Sequence, residues 1–177
     1  IEGREIFLAT ADNGLRAIEY NVSASDPTSL VVERNVVWDD SNLLSGNSIV
    51  DISVSDDILY IATSDSGIDR FDLSSNSWMP SWTSSNWLSS DNLVGLASAP
   101  GWLYILGEEQ VQPYDTDLLL FSSDIQLQSL GLDTASSISA WPGGLPRAPS
   151  DSMAIIGDSS GTFGRVLEDN SDGTFHL

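Results

Sequence analysis

The chain has 177 residues, enough for one domain with a substantial core, and its 41% hydrophobic content sets it apart from disordered chains despite many serines. Asp and Glu number 26 against six basic residues, all arginine, for a net charge of −20, which argues against nucleic acid or anionic membrane surfaces as partners. Apolar runs are far too short for a membrane helix, and the absence of cysteine removes disulfides, thiolate metal sites and thiol catalysis.

From the first residues onward the apolar pattern alternates with a period of two rather than 3.6, and most members of each run are β-branched, aromatic or aliphatic. The first unit predicts strands over 5–10, 15–21 and 30–38, with an insertion around 21–29 that includes the sequon Asn21-Val22-Ser23. The second predicts strands over 48–54, 58–63, 68–73 and 77–83. The third gives 93–98, 102–106, 111–115 and 118–122, and the fourth 136–141, 152–157, 162–167 and 173–177. Asp-Asn-Gly, Asp-Ser-Gly, Pro-Gly-Gly and Ser-Asp-Gly turns separate them, as in antiparallel hairpins.

Self-comparison turns these strands into a repeat. Ala9-Thr10, Asp12 and Gly14 align with Ala62-Thr63, Asp65 and Gly67, each 53 residues on. Leu103-Tyr104-Ile105 repeats Leu59-Tyr60-Ile61. Between these runs, Trp38, Ile49, Val50 and Ile52 return as Trp82, Leu93, Val94 and Leu96, each 44 residues on. Four short antiparallel strands in about 44 residues make a β-propeller blade. The fold expected is therefore all-β, with about four four-stranded blades over 1–38, 39–83, 84–123 and 124–177. The first blade is incomplete, because its innermost strand is missing.

The motifs Trp82…Leu88…Asn92-Leu93-Val94-x-Leu96 and Leu59-Tyr60-Ile61-Ala62-Thr63…Gly67-Ile68…Phe71-Asp72 resemble the two-component-regulator type of β-propeller repeat. The resemblance implies a sensing or surface propeller, often extracytoplasmic, that binds a glycan or transmits a signal. The chain departs from the pattern in having Ala before Thr10 and Thr63, and Trp87 where the family has glycine.

In a blade, the turns between strands two and three share a face with the loops between blades. That face is expected to gather Asp12, Asp39, Asp40, Asp65, Asp91, Asp158 and Trp87, the candidate ligand-binding residues. Asp56-Asp57, Pro100-Gly101 and the proline-rich stretch 142–149 fall on the other. The Asp-x-Gly turns at Asp12 and Asp65, and Asp158-Ser-Ser-Gly161, are accounted for by tight-turn chemistry. Calcium is the one cofactor they bring into question, and a site would need carboxylates from further loops. Trp38 and Trp82, at equivalent repeat positions, read as packing between blades. Trp87 reads as an exposed aromatic.

His176 is the one histidine, lysine is absent, and no triad or zinc set can be assembled. The function expected is thus non-catalytic: a binding or sensing module of a larger extracytoplasmic protein, for a glycan or protein ligand. A structural scaffold and a glycan-active enzyme using a carboxylate pair are the alternatives. An open ring exposes apolar blade faces, so the expected partner is a second copy or the remainder of the parent protein.

Overall fold

The computed structural model describes residues 4–10, 13–22, 30–141, 153–169 and 174–176. The strands group into four antiparallel sheets in chain order. Sheet one is β1 (Arg4–Thr10), β2 (Gly14–Val22) and β3 (Leu30–Trp38). Sheet two is β4 (Ile49–Ser55), β5 (Ile58–Thr63), β6 (Ile68–Asp72) and β7 (Ser77–Trp82). Sheet three is β8 (Leu93–Ala99), β9 (Trp102–Gly107) and β10 (Gln110–Asp115), edged by the short β11 (Leu120–Phe121) and β12 (Ile125–Gln126). Sheet four is β13 (Ser137–Trp141), β14 (Met153–Gly157), β15 (Phe163–Asp169) and β16 (Thr174–His176). This is the β-propeller architecture, with four blades in an open arrangement.

Each hairpin follows from its turn residues. Asp56 and Asp57 both take positive φ, 48° and 61°, and close the two-residue β4–β5 hairpin as a primed turn does. Gly67 has φ +84°, and a Cβ at that position would collide with the Trp82 carbonyl oxygen. Gly14 has φ +78° and meets the Trp38 carbonyl in the same way. The repeat thus reproduces a close approach as well as a turn.

Sheet three differs from expectation at its outer edge. A strand over 118–122 is expected there; the structure instead turns through 116–119, with Leu119 at φ 57°, and leaves two short strands. β11 pairs with β10 at Tyr114 and Asp115, and β12 pairs with it at Gln110 and Val111. A 3-10 turn over Leu127–Leu130 follows, ending at Gly131 in the left-handed conformation. In sheet one, three strands are described. The inner position held by β4, β8 and β13 in the other sheets is not filled among the described residues.

Packing runs from sheet to sheet. Leu15, Ala17 and Trp38 of sheet one bury against Leu59, Ile61 and Phe71 of sheet two. Tyr60, Ala62, Ile68 and Trp82 on the far side of sheet two meet Leu96, Leu103, Ile105 and Tyr114 of sheet three. Trp102, Tyr104, Leu106 and Val111 then meet Ala154 and Ile156 of sheet four. Trp38 and Trp82 fill these junctions, Trp38 beside Phe71 and Trp78, Trp82 beside Tyr114 and Phe121. At the centre the inner strands crowd together. A Cβ on Gly95 would lie 3.3 Å from Ile138 and 3.4 Å from Asp51, and Asp51 accepts the Leu96 N–H at 2.9 Å, tying β4 to β8.

Candidate functional site

The loops between sheets are built by one recipe, which decides what their polar groups are free to do. After β3, the Asp39 carbonyl accepts N–H groups from Asn42, Leu43 and Leu44 at 3.0–3.1 Å. The Asn42 side chain accepts the Asp39 N–H at 3.1 Å and donates to the Val37 carbonyl at 3.4 Å. After β7, the Thr83 carbonyl accepts from Asn86, Trp87 and Leu88 at 3.0 Å. Asn86 likewise accepts the Thr83 N–H at 2.7 Å and donates to Ser81 at 3.1 Å. Each loop is then stapled further along. Asp40 donates its N–H to the Asn47 side chain at 2.8 Å, and Ser84 donates its N–H to the Asp91 carboxylate at 2.6 Å. Asn47 and Asp91 do the same job 44 residues apart.

A second clamp anchors each loop to the sheet beneath it. Asp69, buried on β6, accepts the Ser45 N–H at 2.7 Å, the Ser45 hydroxyl at 2.6 Å and the Ser81 hydroxyl at 2.6 Å. In sheet three Gln112 takes this place. It accepts the Ser89 N–H at 3.1 Å and donates to the Trp87 carbonyl at 3.1 Å. Sequence reasoning missed Asp69 and Gln112. The signal was present, since Ser45 and Ser89 are 44 apart and the two clamping side chains sit at matched places on β6 and β10.

Trp87 is 60% exposed. Its ring lies nearly parallel to Phe121, at 16° and 6.2 Å between centroids, while Gln112 holds its backbone. The buried Leu88 beside it fixes the loop to the core. The result is an exposed aromatic ring whose orientation is fixed by Phe121 and by its own loop.

The expected acidic residues are distributed as follows. Asp39, Asp40, Asp65, Asp91 and Asp158 all lie in turns and loops of the expected face; Asp12 lies outside the described residues. Asp91 lies against the Gly67 turn that carries Asp65: its Oδ1 is 3.3 Å from where a Gly67 Cβ would be. Asp39 meets the Gly14 turn through its backbone instead: its Cα is 3.0 Å from where a Gly14 Cβ would be. Asp158 is in the β14–β15 turn, apart from these. Most of these carboxylates serve their own loops. Asp39 accepts the Ser41 N–H at 2.9 Å, and Asp65 accepts the Ser66 hydroxyl at 2.9 Å. Asp158 accepts the N–H groups of Ser160 and Thr162 at 2.8 and 2.9 Å, with the Ser160 hydroxyl at 2.7 Å. These bonds, that of the Ser160 hydroxyl foremost, hold the Asp158 carboxyl below its ordinary range. Among the described residues, no three acidic or histidine side chains converge as a metal-holding group.

The same face carries a cleft that sequence reasoning did not foresee. It has a volume of about 460 Å³ and is lined by Val94, Glu108, Glu109, Asp133, Thr134 and Ala135. Glu108 and Glu109 form the β9–β10 turn, where sheet two has its Asp65 turn. A smaller recess of about 230 Å³ continues past them to Ser89 and Ser90, in the loop that holds Trp87. None of the expected aspartates lines either hollow.

No family model matches the chain, and no curated protein matches it. Solved structures do. The extracellular domain of BT3049, a B. thetaiotaomicron protein named as a hybrid two component system, superposes with TM-score 0.60 at 12% identity over 97% of this chain. The corresponding domain of BT4673 from B. thetaiotaomicron gives 0.61 at 12% identity over 98%. The chain spans 23% and 22% of the length of those two. The WD40 repeats of RRP9 give 0.61 at 13% identity, over 97% of this chain and 46% of that one. At these identities the likeness is one of fold: the sheets are propeller blades.

Proposed function

We propose that this chain is a non-catalytic binding or sensing segment of a propeller, working in an extracytoplasmic setting, with its ligand face on the loops around Trp87. One observation carries the reading. Trp87 is a large aromatic ring left in solvent, yet held by stacking on Phe121 and by the Gln112 clamp. A rigid exposed ring costs little entropy on binding and suits the flat apolar face of a sugar or an apolar side chain of a protein ligand. The adjoining hollows, with Ser89, Ser90, Glu108 and Glu109, supply hydroxyl and carboxylate groups for a glycan's hydroxyls. The extracellular placement of the B. thetaiotaomicron domains supports the setting. Further blades of a parent protein, or another copy, complete the ring.

Catalysis is less well supported. A glycosidase acid needs a carboxyl pushed upward by burial; among the described residues the shifted carboxyls, Asp72 and Asp158, are held downward by bonds within their own turns. Calcium stays outside the proposal, because the turn carboxylates are engaged by their own loops.

A glycan array followed by titration of tryptophan fluorescence tests the reading. Binding without turnover is expected, lost at least tenfold in Trp87→Ala with the melting temperature unchanged. An array hit that survives Trp87→Ala moves the site elsewhere, and turnover of the bound glycan reinstates the enzyme.

A further inference from the structure

The two outer sheets each leave bare a face that the middle sheets bury. On sheet one the ladder positions Ile6, Leu8, Arg16, Ile18 and Val37 share the side turned away from sheet two. Ile6 is 42% and Leu8 44% exposed. Their counterparts, Leu59 and Ile61 in sheet two and Leu103 and Ile105 in sheet three, are at most 2% exposed, covered each time by the preceding sheet. Sheet four is the mirror case. Ile155 is 39% and Phe163 69% exposed on the side away from sheet three. Their counterparts Tyr60 and Ile68, and Tyr104 and Val111, are at most 3% exposed, covered by the following sheet.

The molecule therefore displays one half of its own repeating junction at each end. We propose that the bare face of sheet four docks on the bare face of sheet one of a second copy, and that two copies close one ring through two such junctions. Three observations select a second copy. The junction type is already made between successive sheets, so the surface that fits each bare face is one this chain carries. The extent is compatible: 97% of this chain superposes on 46% of the RRP9 WD40 chain, so two copies come close to that chain's length. Two sets of four sheets also stay within the usual range of blades. Finally, the charge pattern permits it. Two chains of net charge −20 repel, but Ile6, Leu8, Arg16, Ile18 and Val37 on one face include no acid, and on the other Asp169, at the far end of β15, is the one acid beside Ser137, Ser139, Ile155 and Phe163. Because each junction joins unlike faces, closure after two copies is what prevents open-ended growth.

The proposal rests on the propeller architecture and is independent of any ligand, so the glycan test and this one fail separately. Sedimentation velocity of the whole chain, from micromolar to millimolar concentration, is expected to show a dimer that tightens as added salt screens the repulsion. Leu8→Asp and Phe163→Asp should each give folded monomers, checked by circular dichroism. Mixed in equal amounts they should re-form a dimer, because one junction of the pair then has both wild-type faces. Val37→Asp serves in place of Leu8→Asp if that variant does not fold. A wild-type monomer throughout, open-ended oligomers, or a mixture that stays monomeric overturns the proposal.

Discussion

Leu8 and Ile61 hold the same place in successive sheets, 53 residues apart, and meet opposite fates. Ile61 is sealed under sheet one, while Leu8 faces solvent. Nothing in either residue or its strand decides this; the neighbouring sheet does. In a repeat protein the apolar residue specifies a junction, and burial depends on whether the junction is made. Sheets two and three show the repeat with both sides satisfied. Sheets one and four show it with one.

The largest test of that contrast is to put a charge at both places, at a concentration where all forms are monomeric. Ile61→Asp should cost about 4 kcal/mol or more by urea denaturation, since it buries an unpaired carboxylate. Leu8→Asp should change the folding free energy by about 0.5 kcal/mol or less, as exposed substitutions do. Comparable losses at the two positions would mean that the sheet-one face is covered within the monomer.

Glycine turns sharpen the contrast at a smaller scale. Gly67 and Gly161 both take positive φ, +84° and +90°. A Cβ at Gly67 collides with the Trp82 carbonyl, whereas at Gly161 nothing lies within 4 Å. Gly67→Val should therefore cost about 3 kcal/mol and Gly161→Val about 1 kcal/mol, the latter from backbone strain alone. Equal melting temperatures for the two variants would break the account of the middle turn.

The smallest effect concerns pH. The Ser74 hydroxyl, with the Ser75 N–H next, lowers the Asp72 carboxyl from 3.8 to about 2. A depressed carboxyl stabilises the fold above its unfolded value and loses that contribution as pH falls. The loss should run from about pH 4 to about pH 2, and Asp72→Asn should flatten that stretch of the stability curve. An identical curve in the variant would show that these bonds carry no stability.

Most of the fold was legible in the sequence because a strand in a blade is short, alternates, and ends at a residue with special backbone needs. The β4–β5 and β5–β6 hairpins follow from Asp56-Asp57 and Gly67 in this way. The outer edge of sheet three was not. Leu118 to Phe121 is as apolar as a strand, yet Leu119 adopts a left-handed turn, and 122–124 separates β11 from β12. The 3-10 turn at 127–130 has no capping side chain to announce it. The loop positions of the candidate residues and the exposure of Trp87 were legible, but not the bonds that their side chains make. An aspartate that staples a loop, such as Asp91 on Ser84, has the same composition and spacing as one that waits for a ligand. Asp69 is harder still, because a buried acid is recognised by its three donors, and those come from Ser45 and Ser81 in separate segments.

The order of the sheets in space is their order in the chain, and their extensive contacts join sequence neighbours. This has a kinetic consequence. Every junction within the chain is reached by a short search, because the sheet to be found was laid down just before, so the loop-closure entropy is small at each step. In a ring closed within one chain, the last junction must bring the two ends together across the whole length. If two copies close the ring as proposed above, that step becomes an encounter between preformed arcs, with a rate set by concentration and salt rather than by the chain's own conformational search.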